Sequence, residues 1–324
     1  MIDFYNFLIN IIEDNYSKPP QFEVVFKSSL KLNLIPKTSK IIRVWEKKKK
    51  VVLMKKNIRL IAFDIDGTLI TKDGRVLEEN KKIIKDLKER GVKIVLCTGR
   101  NFSGFYWIRQ ELDLMGYDDY SITCTGAFIR QNATGKALLK KVLSIEDMKE
   151  IEAKLDDTDI QFAIHTRDIL YNKYENPNQA FLNDQKLVRM PWLKYKNLDD
   201  IKDDLARACF IADKEKIDDF EKRHKDEFVN SYKYMRNEKT IIEILHKDAG
   251  KSETLRDLAE MFDLDMNEIM YFGDGANDLK SIEAVGVGVA MGNAREITKE
   301  AADYVVGDND TPAIAEFLKE YFND

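Results

Sequence analysis

The stretch Ile58-Arg59-Leu60-Ile61-Ala62-Phe63-Asp64-Ile65-Asp66-Gly67-Thr68-Leu69 joins a short apolar run to a loop with two carboxylates two residues apart. Residues 58–63 have the length and near-continuous hydrophobicity of a strand buried on both faces, as strands of a parallel sheet are. Ligands of open α/β sheets bind outside the carboxyl ends of such strands, where Asp64 and Asp66 fall. Taken alone, the segment reads equally well as an acidic turn closing a strand, since Asp and Gly are ordinary turn residues.

The neighbouring sequence sets the context. Residues 78–90 place Ile83, Ile84 and Leu87 on one face and stop at Gly91, a helix pattern. A strand at 92–97, a helix at 103–115 and a strand at 120–124 follow. Between 141 and 238 the pattern changes to a helix near 145–155, β-like runs at 160–164, 168–174 and 206–211, a helix at 214–227 and a run near 229–235. After Thr240 the alternation returns: helix 251–262, strand 268–272, helix 277–284, strand 286–290. This spacing predicts an α/β protein with a Rossmann-like parallel sheet core and helices on both faces, built from 58–140 and 239–324. An α+β domain with a mainly antiparallel sheet is inserted at 141–238.

With 324 residues, 44% of them hydrophobic, the chain has material for more than one core. Its net charge of −5 provides no basic field for nucleic acid, so no nucleic-acid partner is expected and anions must be captured locally. Residues 1–57 carry twelve Lys/Arg against five Asp/Glu, leaving −12 in the remainder. They read as a basic extension outside the fold. Met54-Lys55-Lys56-Asn57 directly before an apolar strand even resembles a protein start. Cys97, Cys124 and Cys209 are scattered and odd in number, which fits a reducing cytoplasm. The stretch 2–12 is interrupted by Asp3, Asn6 and Asn10 and lacks a basic leader, so neither a membrane span nor an export signal is expected. Oligomeric state is not readable.

A second apolar strand ends in an acidic, glycine-containing loop, Met270-Tyr271-Phe272-Gly273-Asp274-Gly275-Ala276-Asn277-Asp278. Two carboxylates ~4 Å apart repel by roughly 4 kcal/mol at an effective dielectric near 20, so carboxylates gathered at adjacent strand ends call for a cation. An oxygen-only donor set, with His165, His224 and His246 lying outside these loops, points to Mg²⁺. Leu96-Cys97-Thr98-Gly99-Arg100 offers a hydroxyl and glycine-freed N–H groups suited to phosphoryl oxygens. Ala249-Gly250-Lys251-Ser252 supplies a lysine just before a helix. It is not a nucleotide-binding P-loop, because Leu245 stands where that motif needs glycine. Gly286, Gly288 and Gly292 lack the spacing and the βαβ setting of a dinucleotide fingerprint.

In this order the four elements resemble the haloacid dehalogenase superfamily, over 58–324. Ala290-Met291-Gly292-Asn293-Ala294 and the large insertion make the chain similar to the Cof-like branch, whose members act on sugar phosphates or phosphorylated cofactors. The resemblance implies a Mg²⁺-dependent phosphatase working through an aspartyl-phosphate, with a small phosphorylated metabolite as substrate. Asp64 would be the nucleophile and Asp66 the acid–base. Asp64, Asp274 and the main-chain carbonyl of Asp66 would hold Mg²⁺, with Asp278 supporting it. Thr98, Gly99, Lys251 and Asn277 would bind the phosphoryl group, and the inserted domain would close over it as a cap. A phosphomutase would retain Asp64 and Asp66 equally, and an idle binding or regulatory relative is the alternative of another class. One departure concerns Thr125, which occupies a position where this branch usually has Asn. In the insertion, Tyr171, Tyr174, Trp192, Tyr195 and Tyr232 read either as core or as a wall for an aromatic substrate.

Overall fold

Leu60, Ile61, Ala62 and Phe63 are all fully buried, and their alternation serves two cores at once. Ile61 and Phe63 join one cluster while Leu60 and Ala62 join another on the opposite face, as the period of two in a strand requires. The computed structural model describes residues 56–322, residue 189 apart. The reading of 1–57 as an extension therefore falls almost wholly outside the described residues.

The first half of the core runs through β1 (Leu60–Phe63), α1 (Glu78–Glu89), β2 (Lys93–Cys97), α2 (Tyr106–Glu111), β3 (Tyr120–Thr123), β4 (Phe128–Gln131) and β5 (Ala137–Lys140). In α1, buried Asn80, Ile83, Ile84 and Leu87 form one stripe, with Glu78 and Glu79 in the first turn and Lys88 in the last, the charge order that suits the helix dipole. The inserted domain comprises α3 (Ile145–Glu152), β6 (Gln161–Thr166), β7 (Leu170–Asn172), α4 (Gln179–Val188), β8 (Trp192–Lys194), β9 (Leu205–Ile211), α5 (Lys214–Val229), β10 (Tyr232–Glu238) and β11 (Ile241–His246). Then α6 (Lys251–Met261), β12 (Ile269–Gly273), α7 (Leu279–Ala284), β13 (Val287–Ala290), α8 (Glu296–Ala301), β14 (Tyr304–Val305) and α9 (Ala313–Phe322) complete the core.

The main sheet has the order β14-β13-β12-β1-β2-β3-β4-β5. The pairs from β14 to β3 are parallel, whereas β3–β4 and β4–β5 are antiparallel. An antiparallel hairpin thus extends the expected parallel sheet at one edge. From β1 the chain winds one way through β2 and β3 and the other way through β12, β13 and β14. That reversal opens a crevice at the carboxyl ends of β1 and β12. Phe63 pairs in register with Phe272, their rings stacked 5.0 Å apart, and Asp64 N–H donates to the Phe272 carbonyl (2.9 Å). This register brings the loop that begins at Asp64 beside the loop that begins at Asp274.

The second sheet, β10-β11-β9-β6-β7-β8, is antiparallel except for its β7–β8 pair. Phe162 and Phe210 on one of its faces pack against Phe220 and Phe228 of α5, with Met148 and Ile151 of α3 in the same cluster. Strand β11 pairs with β9 and β10, so the inserted sheet continues to His246. The helix expected over 103–115 is shorter, a 3₁₀ turn at Phe102–Phe105 followed by the six residues of α2. Of the insertion's aromatic residues, Tyr171, Tyr174, Tyr195 and Tyr232 bond to Asp203, the Ile160 carbonyl, Glu152 and Asp147. Trp192 packs edge-on to Phe181.

Candidate active site

Four strand-end loops converge. Gly67 has φ +79°, and a β-carbon there would strike the Asp274 carboxylate, so the loops after β1 and β12 approach closely only because this residue is glycine. Thr68 Oγ1 donates to Asp274 Oδ1 (3.1 Å), and Asn293 Nδ2 donates to the Gly67 carbonyl (2.8 Å). Ligand oxygens of Asp64, Asp274 and Asp278 lie within 4.8 Å of one another.

Lys251, the first residue of α6, is buried beneath this cluster and donates to Asp64 Oδ1 (2.5 Å) and Asp278 Oδ1 (2.8 Å). Burial works against its charge, but the Asp278 and Asp64 carboxylates outweigh burial and hold the ammonium above the ordinary lysine range. Asp278 also accepts from Tyr271 Oη (2.7 Å) and from the N–H groups of Asp274 and Gly275 (3.2 and 2.9 Å). Burial raises the Asp64 carboxyl well above its usual range; Lys251 lowers it, and Asp278, Asp274 and Asp66 raise it further. Asp274 is pushed up to about 6, first by burial and then by the Asp278 charge. One lysine therefore does not neutralise the cluster, and the uncompensated, oxygen-only donor set fits a hard divalent cation.

Asp66 stands at the open side, its side chain 39% exposed, with both carboxylate oxygens taken by Arg100: Nε to Oδ2 at 2.9 Å and Nη2 to Oδ1 at 2.6 Å. Arg100 is anchored in turn on the Gly104 carbonyl (3.0 Å). Thr98 is fully buried at the end of β2, and its hydroxyl accepts the Arg100 N–H (3.0 Å), keeping its own proton free to donate.

Asp64, Asp66, Gly99, Asp274 and Asn277 line one cleft of about 350 Å³, while Thr98, Lys251 and Asp278 lie outside its lining. The opposite wall comes from the inserted domain through Asp184, Arg207, Glu238, Ile241 and Glu243. None of the five aromatic residues discussed above reaches this wall. Sequence reasoning assigned no role to these cap residues or to Arg100. Arg207 carries the one available signal, a lone charge inside the apolar run Leu-Ala-Arg-Ala-Cys-Phe-Ile of β9, since arginine is almost never fully buried unless paired. Asp184 and Glu243 give no such signal.

Thr125 also borders the cleft, in an unusual backbone. Cys124 and Thr125 have φ of +51° and +56°, left-handed values that cost of order 1–3 kcal/mol each and persist only where the surroundings impose them. Those surroundings are the Cys124 N–H bond to the Arg100 carbonyl (2.9 Å) and the Thr125 N–H bond to the Thr98 carbonyl (3.0 Å). Gly126, with φ +91°, follows against the backbone of Gly250 and so ties the same loop to the start of α6. All three cysteines are buried and free, and burial pushes the Cys97 and Cys124 thiols up to about 12 and about 11, values unsuited to a nucleophile.

Comparison with known proteins gives these observations a family. The model of the haloacid dehalogenase-like hydrolases matches residues 61–318. The 5-amino-6-(5-phospho-D-ribitylamino)uracil phosphatase YcsE of Bacillus subtilis is 28% identical over 265 residues, covering 82% of this chain and 96% of its own. Pyridoxal phosphate phosphatase YbhA of Escherichia coli is 26% identical over 276 residues, covering 80% and 97%. The crystal structure of a haloacid dehalogenase-like hydrolase from Bacteroides thetaiotaomicron shares the fold, with a TM-score of 0.75 at 24% identity over 82% of this chain and 100% of that one. The chain belongs to the haloacid dehalogenase-like hydrolases and, within them, to the Cof-like phosphatases.

Proposed function

We propose that the protein hydrolyses monophosphate esters of small metabolites in two steps, through an aspartyl-phosphate on Asp64. The observation that carries this reading is the buried Lys251 ammonium 2.5 Å from Asp64, in a site whose open side bears a second carboxylate, Asp66. Asp64 attacks phosphorus in line, forming the acyl phosphate as the bond to the alcohol oxygen breaks. Asp66 gives the departing oxygen its proton and later takes one from the water that cleaves the acyl phosphate, so the protons balance over a cycle. Arg100 holds both oxygens of Asp66, and this pair opens when Asp66 turns to exchange its proton. The Thr98 hydroxyl, the Gly99 N–H, Lys251 and Asn277 supply donors for the phosphoryl oxygens, which makes catalysis chiefly positioning and electrostatics. Mg²⁺, held by Asp64, Asp274 and the main-chain carbonyl of Asp66 with Asp278 behind them, would supply the positive charge that lets a carboxylate approach a phosphoryl group. The two relatives named above act on a phosphorylated ribityl compound and on pyridoxal phosphate, which supports a small phosphorylated metabolite as substrate.

Phosphate release from a panel of metabolite monophosphates tests the reading. Release should stop in excess chelator, return with Mg²⁺, vanish in Asp64→Asn, and fall about a hundredfold or more in Asp274→Ala. Full turnover in chelator would overturn the metal assignment. Conversion of one ester to its isomer without free phosphate would indicate a phosphomutase.

A further inference from the structure

On the cap wall of the cleft, Arg207 is 4% exposed and held on three sides. Its Nη1 pairs with Glu243 Oε1 (2.8 Å) and donates to Thr125 Oγ1 (3.2 Å), and its Nη2 donates to His165 Nδ1 (3.0 Å). Its Nε is buried and has no protein partner among the described residues. Close by, the buried His165 Nε2 faces Asp184 Oδ2 at 3.5 Å, so these two atoms partner each other. Arg207 is nonetheless part of the cleft wall, and a guanidinium, which only donates, calls for an oxygen acceptor on a ligand there.

Thr125 fixes where this guanidinium stands. The backbone bonds that hold the left-handed turn run to Thr98 and Arg100, the residues on either side of Gly99. A β-carbon at Gly99 would lie 3.3 Å from Thr125 Oγ1 and 3.9 Å from Arg207 Nη1. The cap arginine therefore sits at the phosphoryl end of the cleft, where the alcohol half of an ester begins. Beyond it, Asp184, Glu238 and Glu243 offer only acceptors. On this wall a second anion would meet those carboxylates and an arginine already balanced by Glu243, since the cleft's other arginines, Arg100 and Arg295, belong to the core. An aromatic ring would find no aromatic side chain among the cleft's described lining residues. Hydroxyl groups, which both donate and accept, suit this wall.

We propose that Arg207, oriented by Thr125, is the specificity-determining residue of this enzyme and reads a hydroxyl oxygen close to the ester of a polyol phosphate. The proposal rests on the phosphatase reading above, and the experiment separates the two. For the full chain, kcat/KM is measured with glucitol phosphate, p-nitrophenyl phosphate and phosphoglycerate. Wild type should favour glucitol phosphate over phosphoglycerate. In Arg207→Lys, in the charge-balanced double variant Arg207→Met with Glu243→Gln, and in Thr125→Val, the ratio of kcat/KM for glucitol phosphate to that for p-nitrophenyl phosphate should fall by about tenfold or more, because a site built to bond a hydroxyl loses that discrimination when its donor is displaced. A purely structural arginine would lower both values together and leave the ratio within tenfold of wild type, which would overturn the proposal. So would wild-type preference for phosphoglycerate. Thr125→Val keeps the Arg207–Glu243 pair, so it supplies the answer if the arginine variants fail to fold. Absence of phosphate release from every ester by the wild-type protein would instead overturn the phosphatase reading.

Discussion

At Gly67 a β-carbon would press on the carboxylate of Asp274, which also accepts the Thr68 hydroxyl, and the φ of +79° is itself unfavourable for any other residue. Gly67→Ala should therefore weaken the apparent affinity for Mg²⁺ and lower kcat/KM by about tenfold or more while the far-ultraviolet spectrum is preserved. A Mg²⁺ titration of phosphate release measures this. Unchanged metal dependence would show that the two loops have room to separate. Asp64, Asp66 and Asp274 stand out in the sequence because two apolar strands each end in an acidic, glycine-containing loop, a pairing that neither loop shows alone. Arg100 is visible in its motif but its task is not, since only the fold brings Asp66 within 2.6 Å of it.

The elements of the core are readable where periodicity and burial agree, as in β1 and α1. They are less readable where one pattern serves two folds. Strand β11, Ile-Ile-Glu-Ile-Leu-His, is an apolar run broken by one charge, and nothing in Ile241–His246 says which of two sheets it joins; the pairing with β9 decides. The β4–β5 hairpin is short, and α4 has too few periodic apolar residues to stand out. By contrast, α3 is signalled by Ser144 and Asp147, which form a reciprocal capping box: Asp147 N–H to Ser144 Oγ at 3.0 Å and Ser144 N–H to Asp147 Oδ2 at 2.8 Å. Removing that cap in Ser144→Ala should cost about 1 kcal/mol and lower Tm by roughly 2–4 °C. Thermal melting checks the loss. No change in Tm would mean that Asp147 finds an equivalent partner.

For the whole molecule, the two sheets meet across a cleft whose cap wall includes a buried cluster of His165, Arg207 and Asp184. Burial first, and the Arg207 charge second, push the His165 imidazole down to about 4, against the opposing pull of Asp184. A depressed folded-state value means that the unfolded chain takes the proton first. The stability this group contributes is thus complete above the ordinary histidine value near 6.5 and is lost as pH falls toward about 4, by about 3 kcal/mol in all. Denaturant midpoints across that window should fall more steeply for wild type than for His165→Gln. Parallel curves would show that His165 is protonated in the folded protein as readily as in the unfolded one.

The claim that joins these scales is that phosphate passes through Asp64 and leaves with help from Asp66. Asp66→Asn keeps the side chain's size and removes its proton traffic, which matters most where the leaving group is poor or water must be activated. p-Nitrophenol departs without a proton donor, so with p-nitrophenyl phosphate and Mg²⁺ the variant should still form the intermediate yet hydrolyse it slowly. A burst of about one p-nitrophenol per enzyme is predicted, with the added phosphate located on Asp64 by mass spectrometry and neither seen in Asp64→Asn. Wild-type turnover in Asp64→Asn, or phosphate trapped on any other residue, would contradict the account.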